Sequence, residues 1–160
     1  MSEALAVATS RGSDLASTPI GFVIVRDQKV IGFAYNECQT MRDAIAHAEM
    51  VAFRRAGLAV ADDDNEDGEL RGATLYSTLQ PCGMCTVASI WSKIGRIVFG
   101  AGRNDVHRMY FEARHINTLD FIAKAYRDDL TFTDGVLRKD CVRLYYPPDA
   151  VLSADDQGNI

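Results

Sequence analysis

The chain has 160 residues, of which 48% are hydrophobic and 24% are charged, and its formal net charge at pH 7 is -5. These values are typical of a soluble globular protein with enough chain for one domain and a real core. No apolar run is long enough to cross a membrane, and the N-terminal segment lacks the basic start and apolar stretch of a signal peptide. The acidic balance does not favour a nucleic-acid partner, and four cysteines that include a Cys-x-x-Cys pair suit a reducing cytoplasm.

Apolar periodicity, turn residues and helix-ending residues predict alternating strands and helices. Five strands are predicted, over residues 20–25, 30–35, 73–78, 96–101 and 130–133. Five helical segments are predicted, over residues 3–11, 46–56, 82–93, 104–127 and 136–145. Asp27-Gln28-Lys29 joins the first two strands in a hairpin, and Gly57 is placed to end the second helix. Because strands alternate with helices from residue 73 onward, the pattern indicates a layered α/β fold.

Two acidic segments have few apolar side chains. Residues 62–68 are predicted to form a solvated, mobile loop. Residues 149–160 follow Pro147-Pro148, which ends the last helix, and are predicted to form a frayed tail. The chain has no repeat and no long linker, so residues 1–148 are predicted to be a single domain.

Two short motifs carry the chemistry of the chain. His47-Ala48-Glu49 supplies an imidazole and a carboxylate, and Pro81-Cys82-Gly83-Met84-Cys85 supplies two thiols. An H-x-E pattern followed by P-C-x-x-C is typical of zinc-dependent deaminases, and a chance match of both halves has a probability of about 3 in 10,000. Three protein ligands, His47, Cys82 and Cys85, would leave the fourth position of a tetrahedral zinc ion open, as a catalytic zinc requires.

The helical context of the motifs sets how they can converge. Side chains two residues apart in mid-helix diverge by about 200°, so His47 and Glu49 face one site only if His47 stands at the helix start. Cys82 and Cys85 are three residues apart and share one face of a helical turn, and Pro81 suits the first turn of that helix. Zinc would then join two helix starts, and its water would lose a proton to Glu49 as general acid/base.

Three other interpretations of these residues stay open. A structural zinc would need a fourth ligand from Cys38, His107, His115 or Cys141, although none of these stands in a second ligand pair. A thioredoxin-like redox pair would explain the two motif cysteines but neither His47 nor Glu49. Glu49 could also be a buried carboxylate paired with an arginine.

At these residues the chain resembles the cytidine deaminase superfamily, in the branch that holds cytosine deaminase, guanine deaminase and the tRNA adenosine deaminases. The resemblance runs from about Pro19 to Ala101 and is closest over residues 75–85. It implies a three-layer α/β/α fold with a five-stranded mixed sheet, helices on both faces, and a last strand parallel to its neighbour. It also implies that a ring of the substrate meets the side chain of Asn36, the N–H of Ala48 and the carbonyl of Gln80.

Two positions depart from the pattern of that branch. Ile45 stands where the branch often has threonine, and Phe22 stands where it usually has a small residue. Neither position touches the metal chemistry. Both leave the choice of substrate within the branch open.

The expected substrate is a free nucleobase or a related aminated heterocycle, with tRNA adenosine or a non-catalytic, deaminase-like binding subunit as alternatives. The net charge, the acidic loop and the acidic tail favour the small molecule and make a nucleic-acid partner unlikely. Arginines that could form a local basic patch occur at positions 54, 55, 96, 103, 108 and 114. Aromatic residues that could stack on a planar base occur at positions 110, 111, 121, 126, 145 and 146, although packing in the core is their commoner role.

The helix predicted over residues 82–93 carries more apolar surface than one sheet contact needs. Val87, Ile90, Trp91 and Ile94 account for that surface. The sequence therefore predicts a homodimer with this helix near the interface, unless residues 104–127 cover the same face within one chain.

Overall fold

The computed structural model describes residues 1–13, 19–62, 64–106 and 117–146. The helices are α1 (Ser2–Ala8), α2 (Cys38–Met41), α3 (Ala48–Val60), α4 (Gly83–Trp91), α5 (Leu119–Ala123) and α6 (Arg138–Arg143), with a 3₁₀ turn at Arg103–Asp105. The strands are β1 (Gly21–Arg26), β2 (Lys29–Tyr35), β3 (Thr74–Leu79), β4 (Arg96–Ala101) and β5 (Thr131–Thr133).

The strands form one mixed sheet in the order β2-β1-β3-β4-β5. β1 is antiparallel to both β2 and β3, whereas β3, β4 and β5 run parallel. The predicted hairpin is present, and Asp27 and Gln28 in its turn both have positive φ. Because β3 and β4 are parallel, their carboxyl ends meet at one edge, where the Gln80 N–H bonds the Ala101 carbonyl at 2.8 Å.

Helices cover both faces of the sheet, so the expected three-layer α/β/α fold is confirmed. On one face α3, α4 and α5 pack on the larger core, which contains Phe22, Ile24, Leu75, Ile97 and Phe99 from the strands. On the other face α1 and α6 enclose a smaller core formed by Leu79, Ala101, Val106, Cys141 and Tyr145. Helix α1 packs close to the sheet because Gly21 has no side chain, and a Cβ there would lie 2.0 Å from the Ala4 carbonyl oxygen.

Gly57 does not end its helix, which is a correction to the sequence prediction. Helix α3 continues through Gly57 to Val60, and the absence of a side chain at Gly57 instead permits close packing against the following loop. The backbone at Gly68 folds back on it, and a Cβ on Gly57 would lie 3.3 Å from the Gly68 carbonyl oxygen. Asn65 organises the same loop, since its amide nitrogen donates to the carbonyls of Val60 and Glu69 at 3.1 Å each.

Parts of other predicted segments lie outside the described residues. The helix predicted over 104–127 is described only at its two ends, where the 3₁₀ turn and α5 are found. The tail predicted over 149–160 and Pro147-Pro148 are also outside the described residues, so the division into one domain and a tail stays a prediction. Within the part of the chain that the structure describes, no helix has the length and apolar character needed to span a membrane.

Candidate active site

Two helix starts place the motif residues side by side. His47 is the N-cap of α3 and Cys82 is the N-cap of α4, both with extended backbone, and Cys85 lies in the first turn of α4. The approach to His47 is fixed by a tight turn in which the Ala46 N–H bonds the Asp43 carbonyl at 3.0 Å. His47 therefore stands at the irregular helix start that its convergence with Glu49 requires.

The three candidate ligand atoms form a triangle of the size that zinc needs. The Sγ atoms of Cys82 and Cys85 are 3.5 Å apart, and His47 Nδ1 lies 3.8 Å from the first and 3.7 Å from the second. A tetrahedral zinc with Zn–S bonds of about 2.3 Å and Zn–N bonds of about 2.0–2.1 Å has S–S edges of about 3.8 Å and N–S edges of about 3.6 Å. The donor set and its spacing both fit zinc with an open fourth position.

The thiols are held in an environment that favours ionisation of one of them. The hydrogen bond between the two Sγ atoms and the nearby His47 lower the pKa of Cys82 to about 4. The same bond, together with burial, raises the pKa of Cys85 well above its usual range. Both sulfurs lie at the positive end of the α4 dipole, which further favours a thiolate.

Glu49 is a buried carboxylate beside this triangle. Its residue is only 4% exposed, and within the described part of the chain its Oε2 atom has no hydrogen-bond partner. Burial and the adjacent Cys82 charge raise the pKa of Glu49 to about 7. A pairing with an arginine would have satisfied both oxygens and lowered this pKa. A buried carboxylate that has one oxygen without a partner and lies beside the metal triangle is suited to accept and return protons instead.

Of the three residues expected to meet the substrate, Ala48 and Gln80 adjoin the two motifs in the chain, and Asn36 adjoins Glu37, whose N–H bonds the Ala46 carbonyl at 3.0 Å. Asn36 follows β2, and the Cys38 thiol lies 3.7 Å from its Oδ1 atom. Ala48 is the first residue of α3 and is buried, and the first N–H groups of a helix have no acceptor within that helix. Gln80 joins β3 to α4 and is also buried. Their roles toward a substrate stay predictions.

Of the four candidates for a fourth zinc ligand, the two that the structure describes, Cys38 and Cys141, do not complete the cluster. Only His47, Cys82 and Cys85 form a metal-sized group among the described residues. The Cys38 thiol instead donates to the Ala44 carbonyl, and Cys141 is buried on the opposite face of the sheet. His107 and His115 lie outside the described residues.

The two departures from the branch pattern lie away from the metal triangle. Phe22 is fully buried and meets Phe53 edge to face, with ring centroids 6.1 Å apart, so it is a core residue. Ile45 is 48% exposed in the loop before His47.

Several residues of the site have no motif that could have revealed them. Thr118 binds both the Gln80 side chain and the Pro81 carbonyl, and the Arg103 N–H binds the Gln80 side chain. Phe121 is the one described member of the aromatic set that lies beside the helix start, 3.5 Å from where a Cβ on Gly83 would be. These contacts join positions up to 38 residues apart, and only the folded chain shows them.

An open His-Cys-Cys zinc site with a buried carboxylate beside it, on an α/β/α fold, defines a zinc-dependent hydrolytic deaminase. Residues 1–101 match the profile of the cytidine and deoxycytidylate deaminase zinc-binding region. The chain belongs to this family, within the cytidine deaminase superfamily, and its cofactor is Zn²⁺.

Among the similar proteins, a solved tRNA deaminase matches more of the chain than the solved guanine deaminase of Bacillus subtilis does. A tRNA-specific adenosine deaminase of Buchnera aphidicola is 34% identical over 126 residues, which cover 79% of this chain and 76% of that protein. A solved tRNA:A34 deaminase, studied for A-to-I editing at the wobble position, has a TM-score of 0.73 and 29% identity, covering 90% of this chain and 96% of that one. Guanine deaminase of Bacillus subtilis reaches a TM-score of 0.56 and 28% identity, covering 64% of this chain and 62% of that one.

The expected free-base substrate is wrong, and so is the expectation that a nucleic-acid partner is unlikely. The comparisons contradict both, because the strong relatives carry the name of tRNA-specific adenosine deaminases. The physical error lay in the use of whole-chain charge. The acidic loop begins beyond the far end of the 13-residue helix α3, roughly 20 Å along its axis from His47. The homodimer was not tested and stays a prediction, with Trp91 73% exposed on α4.

Proposed function

We propose that this chain hydrolyses adenosine at the wobble position of a tRNA anticodon to inosine, with release of ammonia. The observation that supports it best is the match to the tRNA:A34 deaminase over 96% of that chain, against 62% for the guanine deaminase. An anticodon loop is single-stranded, so its base can leave the stack and enter a pocket with little unpairing cost.

The roles of the site residues follow from their positions. His47, Cys82 and Cys85 hold the zinc ion, which supplies a polarised water when bound. Glu49 would carry one proton of that water to a ring nitrogen and the other to the amino group, so that the water oxygen replaces the amino group on the ring carbon and ammonia leaves. Its buried position beside the triangle keeps the carboxylate close to both proton positions without competition from bulk water.

The surroundings of the site suit a nucleic-acid strand better than the net charge suggests. Both helix starts present the positive ends of their dipoles to the substrate side. Arg103 lies at the same edge of the sheet, since its backbone N–H donates to the Gln80 side chain at 3.1 Å. We assign base contacts to the Asn36 side chain, the Ala48 N–H and the Gln80 carbonyl. A cytoplasmic location, where tRNA is found, is part of the same proposal.

The test is inosine formation by the zinc-loaded protein. A tRNA transcript with adenosine at position 34 and the same transcript with guanosine there are incubated with enzyme, and inosine is measured by mass spectrometry of the digested RNA. Free adenine, guanine and cytosine are run in parallel with ammonia release as the readout. We expect inosine only from the A34 transcript. Turnover of a free base without any inosine in the transcript would overturn the proposal.

Two glutamate variants separate chemistry from folding. Glu49→Gln keeps the size of the side chain but removes the proton carrier, and we expect kcat to fall by about 10²- to 10⁴-fold with zinc content unchanged. Glu37→Gln is the matched control, because Glu37 pairs with Arg55 at 2.8 Å and has no part in the cluster. Retention of more than about a hundredth of the activity by zinc-loaded Glu49→Gln would exclude Glu49 as the main proton carrier.

A further inference from the structure

The turn that carries Gln80, Pro81 and Cys82 is fastened by a residue far along the chain. The Thr118 hydroxyl donates to the Pro81 carbonyl at 3.0 Å and accepts from the Gln80 amide nitrogen at 2.9 Å. Thr118 is 2% exposed and Gln80 is 4% exposed, so neither bond competes with bulk water. The Thr86 hydroxyl also donates to the Pro81 carbonyl, at the longer distance of 3.3 Å.

The hydrogen bonds have one consistent direction. The Arg103 N–H can only donate, and it bonds Gln80 Oε1 at 3.1 Å, which fixes the orientation of the Gln80 amide. The Gln80 amide nitrogen therefore donates to Thr118, and the single hydroxyl proton of Thr118 is left for the Pro81 carbonyl. The Thr118 hydroxyl accepts one hydrogen bond and donates another at the same time, and a methyl group in its place could do neither.

These hydrogen bonds hold the backbone between the two groups of the turn that are proposed to take part in catalysis. The Gln80 carbonyl is the proposed acceptor from the amino group that leaves, and Cys82 is a proposed zinc ligand. Between them stands Pro81, whose carbonyl Thr118 holds. Phe121, three residues after Thr118, packs beside Gly83 at the start of α4. The segment that begins at residue 117 thus braces the metal-binding turn from outside the motif.

We propose that Thr118 is a positioning residue for catalysis, which sets the geometry of the Gln80–Pro81–Cys82 turn through its hydroxyl. Loss of the hydroxyl leaves the Gln80 amide nitrogen buried without its acceptor and the Pro81 carbonyl with Thr86 alone. The turn then shifts relative to His47, and both a zinc ligand and a substrate contact move with it. The part of this inference that concerns turnover rests on the proposed function, and the part that concerns the metal geometry does not.

The experiment compares three threonine variants. Thr118→Val removes the hydroxyl at nearly constant volume, and Thr118→Ser keeps it. Thr78→Val is the matched control, because Thr78 is also fully buried and its hydroxyl bonds the Gly21 N–H at 3.1 Å and the Tyr145 hydroxyl at 2.9 Å, away from the turn. Each protein is measured for kcat and KM on the A34 transcript, for its melting temperature, and for the visible spectrum of its Co²⁺-substituted form, which reports ligand geometry.

For Thr118→Val we expect kcat to fall by about 10- to 100-fold while KM changes by less than about threefold, with a shifted Co²⁺ spectrum. Thr118→Ser should keep at least about half of the wild-type kcat and the wild-type Co²⁺ spectrum. Thr78→Val should have a lower melting temperature, with kcat and the Co²⁺ spectrum unchanged. A Thr118→Val protein that is merely less stable, with wild-type kcat and spectrum, would refute the proposal.

Two further outcomes keep the test decisive. If Thr118→Val does not fold, Gln80→Met breaks the same chain of bonds from its other end, and an unchanged Co²⁺ spectrum in that variant would refute the proposal. If the wild-type protein turns over no tRNA, the proposed function fails on its own. The Co²⁺ spectra of the valine and serine variants still decide whether Thr118 sets the metal geometry.

Discussion

Gly100→Ala should destabilise the fold because the added methyl group on β4 would overlap two atoms of Cys141 in α6. A Cβ on Gly100 would lie 2.1 Å from Cys141 Sγ, 2.6 Å from Cys141 Cβ and 3.1 Å from the Val136 carbonyl oxygen. Ordinary contacts between such atoms are about 3.5–4.0 Å, so the overlap with the sulfur exceeds about 1.4 Å. Rotation of the thiol could relieve that contact, but the Cβ of Cys141 moves only with the backbone of α6.

The expected cost follows from these two overlaps. Overpacking of a core costs about 1–3 kcal/mol, and a clash with a backbone-fixed atom belongs at the upper end of that range. Alanine recovers about 0.5–1 kcal/mol of this by restricting the unfolded chain more than glycine does. The net loss should be about 2–2.5 kcal/mol, which lowers the melting temperature by about 4–10 °C in a domain of this size.

Thermal unfolding followed by circular dichroism measures the effect, and the chain supplies a matched control. A Cβ on Gly95, just before β4, would lie 3.6 Å from the Ala73 carbonyl oxygen, an ordinary contact. Gly95→Ala should therefore melt within about 2 °C of the wild-type protein. The double variant Gly100→Ala, Cys141→Gly removes both clashing atoms and should recover part of the loss. Equal melting temperatures for the two alanine variants would refute the overlap argument.

Two other predictions concern the cysteines. Removal of zinc by a strong chelator should lower the melting temperature, and added Zn²⁺ should restore it. The reason is that folding brings His47, Cys82 and Cys85 together, so the metal binds the folded chain in preference to the unfolded chain. An unchanged melting temperature after verified zinc loss would contradict this. Burial raises the pKa of Cys141 to about 11. Since the thiolate is the reactive form and the Cys141 side chain is fully buried, its alkylation in the folded protein should stay slow at pH 8, whereas in guanidinium it should already be fast near pH 8.5. Mass spectrometry of the modified peptide gives the rate.

The metal site could be predicted because its information is local. The spacing of Cys82 and Cys85 fits one helical turn, and the two-residue spacing of His47 and Glu49 required a helix start, which the structure provides. The strands were predictable for the same reason, since alternation and turn residues act over a few positions. The role of Gly57 cannot be predicted from the sequence because its packing partner, Gly68, lies in another segment. No local pattern distinguishes a glycine that caps a helix from one that permits close approach.

The surroundings of the metal depend on contacts that the sequence does not encode locally. Thr118 reaches Pro81 across 37 positions, and Gln80 reaches Arg103 across 23. Nothing in the sequence near residue 118 marks a hydroxyl for that role. The error about the substrate has a similar origin, because net charge sums over the whole chain while recognition depends on the few groups near the site. The acidic loop contributes to the net charge of the chain, but it lies at the end of α3 that is opposite His47.

The two helix starts show how the fold and the metal depend on each other. An N-cap side chain ordinarily accepts a hydrogen bond from the first turn, and its loss costs about 1 kcal/mol per helix. Neither His47 nor Cys82 makes such a bond, although both are N-caps. Their side chains point to each other instead, 3.8 Å apart between Nδ1 and Sγ. Without metal, two caps are missing and a thiolate lies near a buried carboxylate. Zinc binding would offset these costs, and the Ala48 N–H at the start of α3 would remain available for the substrate contact proposed above.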